Sequence, residues 1–359
     1  MLTSFFIRGF RGMTGSRFGM TQKTALIGPN GSGKTHILEG IHLASGGSPT
    51  YIQAPRKEDA FFEIGFEDMI GTKIFSLTRS DEKDIYGIQG KKTSGIKYRE
   101  GLPYRSVFIS PFDMNLLYFA PGVRRDYIDS ILSRTYAQFS KAKREYDLTM
   151  RQRNALLKKI REGEAKGSDL DYWDMSFIQK AQIYHTYRMQ WEKFLEKNTE
   201  MFHTILPEYK IVFHYSSKIE NLKKETGNPY EEVMTTYLSE NRERDILTGH
   251  THIGPHLDDF GFFIESENTT PIETSLYLSR GENKVLLFTL KQIEILFLRK
   301  SLSLPIILLF DDIFSELDSH RAESVIQNFD ADQIIISAPR TLPKSENWDS
   351  FSCINLDPV

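Results

Sequence analysis

The stretch LIGPNGSGKTHIL, from Leu26 to Leu38, decides how this chain folds. Its core fits the pattern G-x-x-x-x-G-K-[ST], in which glycines let backbone N–H groups curl around a phosphate. The strand-like KTALI precedes it and the helical HILEGIHLAS follows it, and this order is the context that a phosphate loop needs. An ordinary glycine turn is the alternative, but it accounts for neither the lysine nor the flanking elements. The sequence therefore predicts a nucleotide site.

Two side chains of this loop have specific roles in such sites. Lys34 is predicted to reach the β- and γ-phosphates of ATP and so to be catalytic, and the Thr35 hydroxyl is predicted to ligate Mg²⁺. The residues predicted to contact the nucleotide are Gly28, Pro29, Asn30, Gly31, Ser32, Gly33, Lys34 and Thr35.

A second part of this site is predicted at IILLFDD, where an apolar run from Ile306 to Phe310 precedes two aspartates. The run indicates a buried strand, and the acids follow its carboxyl end, where ligands of open α/β sheets bind. Asp311 is the expected Mg²⁺ partner, acting through water. Asp312 is expected to orient or deprotonate the attacking water. The alternative is that both carboxylates only cap the next segment.

Another glycine turn, Ser279-Arg280-Gly281, opens a second apolar helix in YLSRGENKVLLFTLKQIEIL, from Tyr277 to Leu296. It has no lysine or metal ligand of its own, so it does not form a complete nucleotide site. It can instead present the Ser279 hydroxyl and helix N-terminal N–H groups to a γ-phosphate bound elsewhere.

The chain reads as an α/β head interrupted by a helical arm. Short strands and turns occupy residues 1–119 and return over 245–359, where PIILLF and QIIISA indicate parallel strands buried on both faces. Residues 120–244 form the arm. Neither proline nor glycine occurs between Gly122 and Gly163 or from Asp169 to Leu206, which predicts two antiparallel helices of roughly 60 Å each.

Composition constrains the partners. The net charge of −3 over 359 residues gives no general attraction to nucleic acid, so any such binding must come from a local patch. One patch follows Lys141 on the first arm helix. A solvated helix face is the alternative to contact with the phosphates of duplex DNA. The candidate DNA-binding residues are Lys141, Lys143, Arg144, Arg151 and Arg153.

The chain is expected to be cytoplasmic. Cys353 is the only cysteine, which excludes an intramolecular disulfide and fits a reducing compartment. The apolar run in the opening MLTSFFIRGFRG is too short for a secretory signal. No apolar run in the sequence reaches the length of a membrane helix.

Taken together, these motifs resemble the ABC ATPase superfamily and, more narrowly, the RecF family of SMC-like heads. The phosphate loop, the acids after IILLF and the Ser-x-Gly turn carry the broader resemblance. The narrower one rests on segments that cover nearly the whole chain in the family's order: Phe10-Arg11, Ser110 to Tyr118, Pro121 to Asp129, Gln152 to Lys158, Gly254 to Asp259, and Ser315 to Asp318.

The resemblance implies an ABC-type head that hydrolyses ATP slowly in a DNA-dependent way. Ser279 and Gly281 would cap the nucleotide held by a second copy, Asp318 would contact nucleotide as part of the D-loop, and ATP would drive head-to-head dimers. It further implies that the arms clamp gapped or double-stranded DNA in recombinational repair and replication-fork recovery. RecO and RecR are the implied protein partners.

Some residues depart from the family pattern or suggest other functions. Leu257 stands where the family has arginine, and Glu282-Asn283 replaces Gln-Gln after the signature glycine. The histidines at 250, 252 and 256 are interpreted as part of a turn rather than a metal site. The alternative functions are a P-loop kinase, an ABC-type nuclease and a nucleotide-switched assembly module without turnover.

Overall fold

The computed structural model describes residues 1–47, 59–68, 71–80, 83–118, 121–265, 270–312, 326–338, 342 and 346–357. Their strands are β1 Leu2–Arg8, β2 Ser16–Gly19, β3 Lys23–Ile27, β4 Ala60–Asp68, β5 Gly71–Arg79, β6 Asp84–Ile88, β7 Lys91–Thr93, β8 Arg105–Ile109, β9 Ile211–Ser216, β10 Asp259–Ile264, β11 Ile272–Glu273, β12 Ile306–Phe310, β13 Gln333–Ala338 and β14 Ser352–Asn355.

The helices lie between groups of these strands, and α3 to α7 follow one another without a strand between them in the described ranges. They are α1 Lys34–Ala44, α2 Gly95–Gly101, α3 Asn115–Tyr118, α4 Pro121–Thr135, α5 Phe139–Arg161, α6 Leu170–Lys197, α7 Glu200–Ile205, α8 Lys218–Thr226, α9 Tyr230–Glu240, α10 Arg242–Thr248, α11 Thr274–Tyr277, α12 Arg280–Leu302 and α13 Glu346–Asp349. No helix in the described ranges is both long and apolar enough to cross a membrane.

A parallel sheet positions the nucleotide loop. Its strand order is β14-β3-β13-β12-β8, and every neighbouring pair in it is parallel. All residues of β12 and β13 are buried, as expected for strands covered on both faces. The carboxyl ends of β3 and β12 lie at the same edge of the sheet. The phosphate loop and the two aspartates therefore emerge side by side.

A six-stranded antiparallel sheet, ordered β2-β1-β4-β5-β6-β7, completes the head. Alternate residues of β1 and β4, including Phe5, Ile7, Phe62 and Ile64, are fully buried in one core with α1. Gly40 on α1 allows this close packing, because a Cβ there would lie 2.8 Å from the ring of Phe5. The core thus fixes the helix that begins at the phosphate loop.

The arm contains α5 and α6, joined by a turn, but both helices are shorter than the roughly 60 Å predicted. The predicted helix over 122–163 breaks between α4 and α5, so α5 has 23 residues and spans roughly 35 Å. The 28 residues of α6 span roughly 42 Å. Phe139 and Tyr136 both pack on the ring of Tyr187, and the short turn between α4 and α5 brings them to it.

The chain divides into two units, residues Met1–Asn115 with Lys284–Val359, and residues Leu116–Asn283. The predicted boundary at residue 245 differs from this division, since residues 245–283 group with the arm. The reason is strand pairing. Strand β10 is antiparallel to β9 over six residue pairs, from Asp259↔Ser216 to Ile264↔Ile211. The side chain of Arg188 on α6 also donates to the Pro255 carbonyl at 2.5 Å.

Candidate functional site

The phosphate loop runs from the end of β3 to the start of α1 in the first unit. Gly31 and Gly33 adopt φ values of +84° and +86°, which L-residues with side chains rarely reach. Gly28 has a different requirement, because a Cβ there would lie 2.6 Å from the Leu356 carbonyl oxygen. The loop geometry therefore depends on the glycines of the sequence motif.

Lys34 folds back over this loop. Its Nζ donates to the carbonyls of Gly28 at 2.7 Å and Pro29 at 2.8 Å. Burial lowers the pKa of Lys34, while the charges of Asp311 and Asp312 oppose that change. The ammonium group thus lies inside the loop, where a bound phosphate chain would meet it.

The hydroxyl of Ser32 is the clearest sign that the loop accommodates a ligand. Ser32 is 2% exposed, and its Oγ has no hydrogen-bond partner among the residues that the structure describes. A buried hydroxyl left in this state costs free energy. Phosphate oxygens accept such hydrogen bonds, so the loop fits the triphosphate of ATP.

Asp311 joins the phosphate loop to β12. Its Oδ2 accepts a hydrogen bond from Thr35 Oγ1 at 2.9 Å, and its Oδ1 accepts one from Ser337 Oγ at 2.7 Å. Burial raises the pKa of Asp311, and these two hydrogen bonds act in the opposite direction. A hydroxyl and a carboxylate in contact are oxygen ligands of the kind that Mg²⁺ prefers, so the donors present fit that ion.

Asp312 lies at the end of the same strand in a constrained conformation. Its φ of +53° is unusual for a residue with a side chain, and its backbone N–H donates to Ser337 Oγ at 2.7 Å. Ser337 on β13 therefore organises both aspartates. The predicted contact Asp318 lies outside the described residues.

The sequence reading missed Glu39, one turn along α1 from Thr35. Glu39 is 6% exposed, and burial raises its pKa to about 7. Arg11 Nη1 lies 2.9 Å from Glu39 Oε2, and its charge lowers the pKa by less than burial raises it. The spacing of four residues places Glu39 on the helix face of Thr35, and this was the available signal.

The Ser-x-Gly turn lies in the second unit, and its residues Ser279, Arg280 and Gly281 are all exposed. Glu282 closes a capping box on this turn. Its Oε2 accepts from Ser279 N–H at 2.7 Å, and Ser279 Oγ accepts from Glu282 N–H at 3.3 Å. The buried Asn283 amide donates to the Leu278 carbonyl at 3.0 Å, so the turn is also held from inside.

The basic residues of α5 fall into different environments. Lys141, Arg144 and Arg151 are exposed on the helix surface. Lys143 Nζ lies 3.0 Å from Asp129 Oδ2, and its side chain is 36% exposed. Three of the five DNA-contact candidates are therefore accessible, while the fourth is already paired with an acid.

Arg153 does not fit the prediction that it contacts DNA. Its side chain is fully buried, with Nε 2.7 Å from Asp174 Oδ1 and Nη1 2.8 Å from Asp245 Oδ2. Nη1 also donates to Thr251 Oγ1 at 2.7 Å. Arg153 joins α5 to α6 and α10 and cannot reach a phosphate at the surface.

The histidine-rich turn makes structural contacts. His252 Nδ1 lies 2.8 Å from Asp245 Oδ1, whereas His256 Nδ1 lies 2.5 Å from the Tyr146 hydroxyl. The adjacent Asp259 forms a bidentate ion pair with Arg124, with both distances at 2.7 Å. No metal-binding group of His, Cys, Asp and Glu occurs in the part of the chain that the structure describes.

Comparison with known proteins agrees with this geometry. A family model described as an AAA domain matches residues 7–245, more than half of the chain. A protein from Ruminiclostridium cellulolyticum named DNA replication and repair protein RecF is 26% identical over 94% of this chain and 92% of its own. Its Clostridioides difficile namesake is 28% identical over 93% and 91%. The chain belongs to the AAA-domain family, and over more than nine-tenths of its length it is similar to RecF proteins.

The fold of this chain is similar to that of solved RecF structures. A structure described as the recombination mediator protein RecF-ATPrS in the RecFOR pathway has a TM-score of 0.82 at 21% identity, covering 99% of this chain and 96% of that one. The RecF-ATP structure gives 0.82 at 22% identity, with coverage of 99% and 95%. The predicted α/β fold, a P-loop ATPase head of ABC type carrying a helical arm, is confirmed.

Proposed function

We propose that this RecF-family chain hydrolyses ATP in DNA replication and repair, and that ATP pairs two heads into a clamp on DNA. The hydrogen bond from Thr35 to Asp311 carries this proposal, because it brings the phosphate loop and the acidic strand end into one site. The names of the curated relatives support the biological setting.

Within one head, the chain's own groups bind and orient ATP. Loop N–H groups, Lys34 and the buried Ser32 hydroxyl hold the phosphates. Thr35 and Asp311 would hold Mg²⁺, which neutralises charge on the phosphates during transfer. The Asp312 carboxylate accepts a hydrogen bond from the attacking water and orients it towards the γ-phosphate.

A second copy completes each site. Its exposed Ser279 hydroxyl and the N–H groups at the start of its α12 cap the γ-phosphate, as the signature turn does in ABC ATPases, and Asp318 contributes through the D-loop. Hydrolysis then releases the pair. Turnover is slow and stimulated by DNA.

DNA lies along α5 in this proposal. Lys141, Arg144 and Arg151 contact backbone phosphates, with Lys143 as a further cation once it leaves Asp129. Binding recognises gapped or duplex DNA without reading bases, since phosphate contacts carry no sequence information. The protein acts in the cytoplasm with RecO and RecR to load recombinase.

Hydrolysis measured with and without gapped DNA tests the proposal. We expect slow phosphate release from ATP without any acceptor, and a higher rate with DNA. Phosphate transfer only to an added acceptor would indicate a kinase, and DNA cleavage with Mg²⁺ would indicate a nuclease. ATP binding without any release would leave a nucleotide-switched assembly module.

A further inference from the structure

Glu282 places a negative charge on the surface that must approach a nucleotide. Its Oε2 lies 2.7 Å from the backbone nitrogen of Ser279, the residue whose hydroxyl would meet a γ-phosphate. Its Oε1 accepts a hydrogen bond from the Tyr209 hydroxyl at 2.9 Å. Both carboxylate oxygens are therefore fixed, and the group is held at the turn rather than free to swing away.

The carboxylate also remains ionised at physiological pH. Hydrogen bonds from Ser279 and Tyr209 lower its pKa below the ordinary value for glutamate. Among described residues within the second unit, no Lys or Arg forms an ion pair with Glu282. Within the described part of that unit, the groups bonded to the carboxylate are an N–H and an O–H dipole.

The surroundings indicate that this surface docks against another molecule. Leu276 is 81% exposed and Tyr277 is 57% exposed, three and two residues before Ser279 in the chain. Large apolar side chains at such exposure, next to a turn with an exposed serine and glycine, are typical of a contact surface. In the proposed dimer the occupant is the nucleotide-loaded head of a second copy.

We propose that Glu282 opposes closure of the ATP-bound dimer, so that the signature turn carries its own electrostatic brake. The inference rests on the proposed function, since it needs the turn to cap ATP in trans. A γ-phosphate that accepts a hydrogen bond from Ser279 must lie close to a carboxylate already bonded to the same residue. Like charges at that separation repel.

Such a brake makes closure reversible. The dimer forms when contacts with ATP are stronger than the repulsion. After the γ-phosphate is lost, few contacts hold the signature turn of one copy against the other copy. Neutral glutamine can accept from the Ser279 N–H with its Oε1 and donate from its Nε2 to the Tyr209 hydroxyl oxygen, so it can hold the turn without the charge. Position 282 therefore sets the strength of closure while the structure of the turn stays unchanged.

The experiment compares wild type with Glu282→Gln, using the dissociation constant of the ATP-dependent dimer from analytical ultracentrifugation. Removing one exposed charge contact changes a binding constant roughly two- to fivefold. Because two sites close per dimer, we expect the dissociation constant to fall about fourfold to twenty-fivefold. The gain should shrink as salt is raised, since ions screen the repulsion.

Two controls separate charge from structure. Glu225→Gln removes an exposed charge from α8 in the same unit and should leave dimerisation unchanged. Tyr209→Phe removes one hydrogen bond but keeps the charge, so it should not tighten the dimer. Unchanged melting temperatures for these variants would establish that each folds normally.

The outcomes separate the two proposals. If wild type doubles its mass with ATP and Glu282→Gln dimerises equally or more weakly, the brake is wrong and Glu282 is only a helix cap or attracts cations of the partner head. If wild type never dimerises with ATP, the shared-site proposal fails, and the brake fails with it. Tighter, less salt-sensitive dimerisation of Glu282→Gln alone supports the brake.

Discussion

Thr35 Oγ1 donates a 2.9 Å hydrogen bond to Asp311 Oδ2 across 276 residues of sequence. The contact ties the start of α1 to the end of β12. Ser337 Oγ on β13 donates to the other oxygen of the same carboxylate. The helix α1 and the strands β12 and β13 thus meet at one acid, and this arrangement joins separate motifs into one candidate nucleotide site.

Replacing Lys34 with alanine tests the phosphate contacts. The ammonium group is held within the loop by two carbonyls, and bonds between a charged group and phosphate contribute roughly 1.5–3 kcal/mol. We expect ATP affinity to fall about tenfold to a hundredfold. Equilibrium binding of a fluorescent ATP analogue measures it, and Lys91→Ala, an exposed control on β7 of the same unit, should bind normally. Equal affinity for Lys34→Ala and wild type would contradict the assignment.

Replacing Asp312 with asparagine separates binding from hydrolysis. Asparagine keeps the size of the side chain and can adopt the φ of +53° that this position requires. General bases contribute about 10²- to 10⁴-fold to rate. We expect phosphate release to fall by that factor while ATP-dependent dimers persist. Equal turnover by mutant and wild type would rule out Asp312 as the base.

Charge reversal on α5 tests the DNA surface. Lys141→Glu with Arg144→Glu and Arg151→Glu should weaken DNA binding and reduce its salt dependence, because each lost phosphate contact lowers the slope by about 0.9. Fluorescence anisotropy across a salt series measures both quantities. Reversal of the exposed Lys193, Lys197 and Lys224 on other helices provides the matched control with the same change in charge. If both sets have the same effect, the α5 residues are only a solvated face.

Arg153 should behave differently from these exposed residues. Its guanidinium is buried between Asp174 and Asp245, and removing one partner of a buried ion pair costs about 3–5 kcal/mol. We expect Arg153→Met to lower the free energy of unfolding by roughly that amount in urea titrations. For the protein that still folds, the dependence of DNA affinity on salt concentration should stay unchanged. A stable variant with a reduced slope would restore Arg153 as a DNA contact.

The raised pKa of Glu39 predicts that the stability of the fold depends on pH. Its pKa of about 7 in the folded chain exceeds the ordinary value of 4.5, so the folded state binds the proton more tightly. Its contribution is therefore fully present below about pH 4.5 and is lost as pH rises to about 7, by at most roughly 3 kcal/mol. Urea unfolding near pH 5 and near pH 8 measures the change. Glu39→Gln should lose less stability over this interval, and an unchanged difference would contradict the prediction.

Motifs that are continuous in sequence could be predicted well. The phosphate loop needs glycines, a lysine and a threonine within eight positions, and its strand and helix adjoin it. The acids of β12 follow an apolar run that only a buried strand explains. The positions of the phosphate loop and of these acids in the fold can therefore be predicted without any knowledge of distant contacts.

Features that depend on distant partners could not be predicted in the same way. Arg153 lies seven residues after Tyr146 and four before Leu157, so helical spacing places it on the buried face. Its acidic partners lie 21 and 92 residues further along the chain. Likewise, the grouping of residues 245–283 with the arm follows from the pairing of β10 with β9, which no local pattern indicates.

The mass in solution, with and without ATP, tests the shared nucleotide site most directly. Wild type should double its mass when ATP is added, whereas Ser279→Arg should remain monomeric, because a large side chain replaces the small hydroxyl that faces the partner's γ-phosphate. Retained ATP binding by the variant would show that its own phosphate loop is intact. A wild-type protein that stays monomeric with bound ATP would contradict the account.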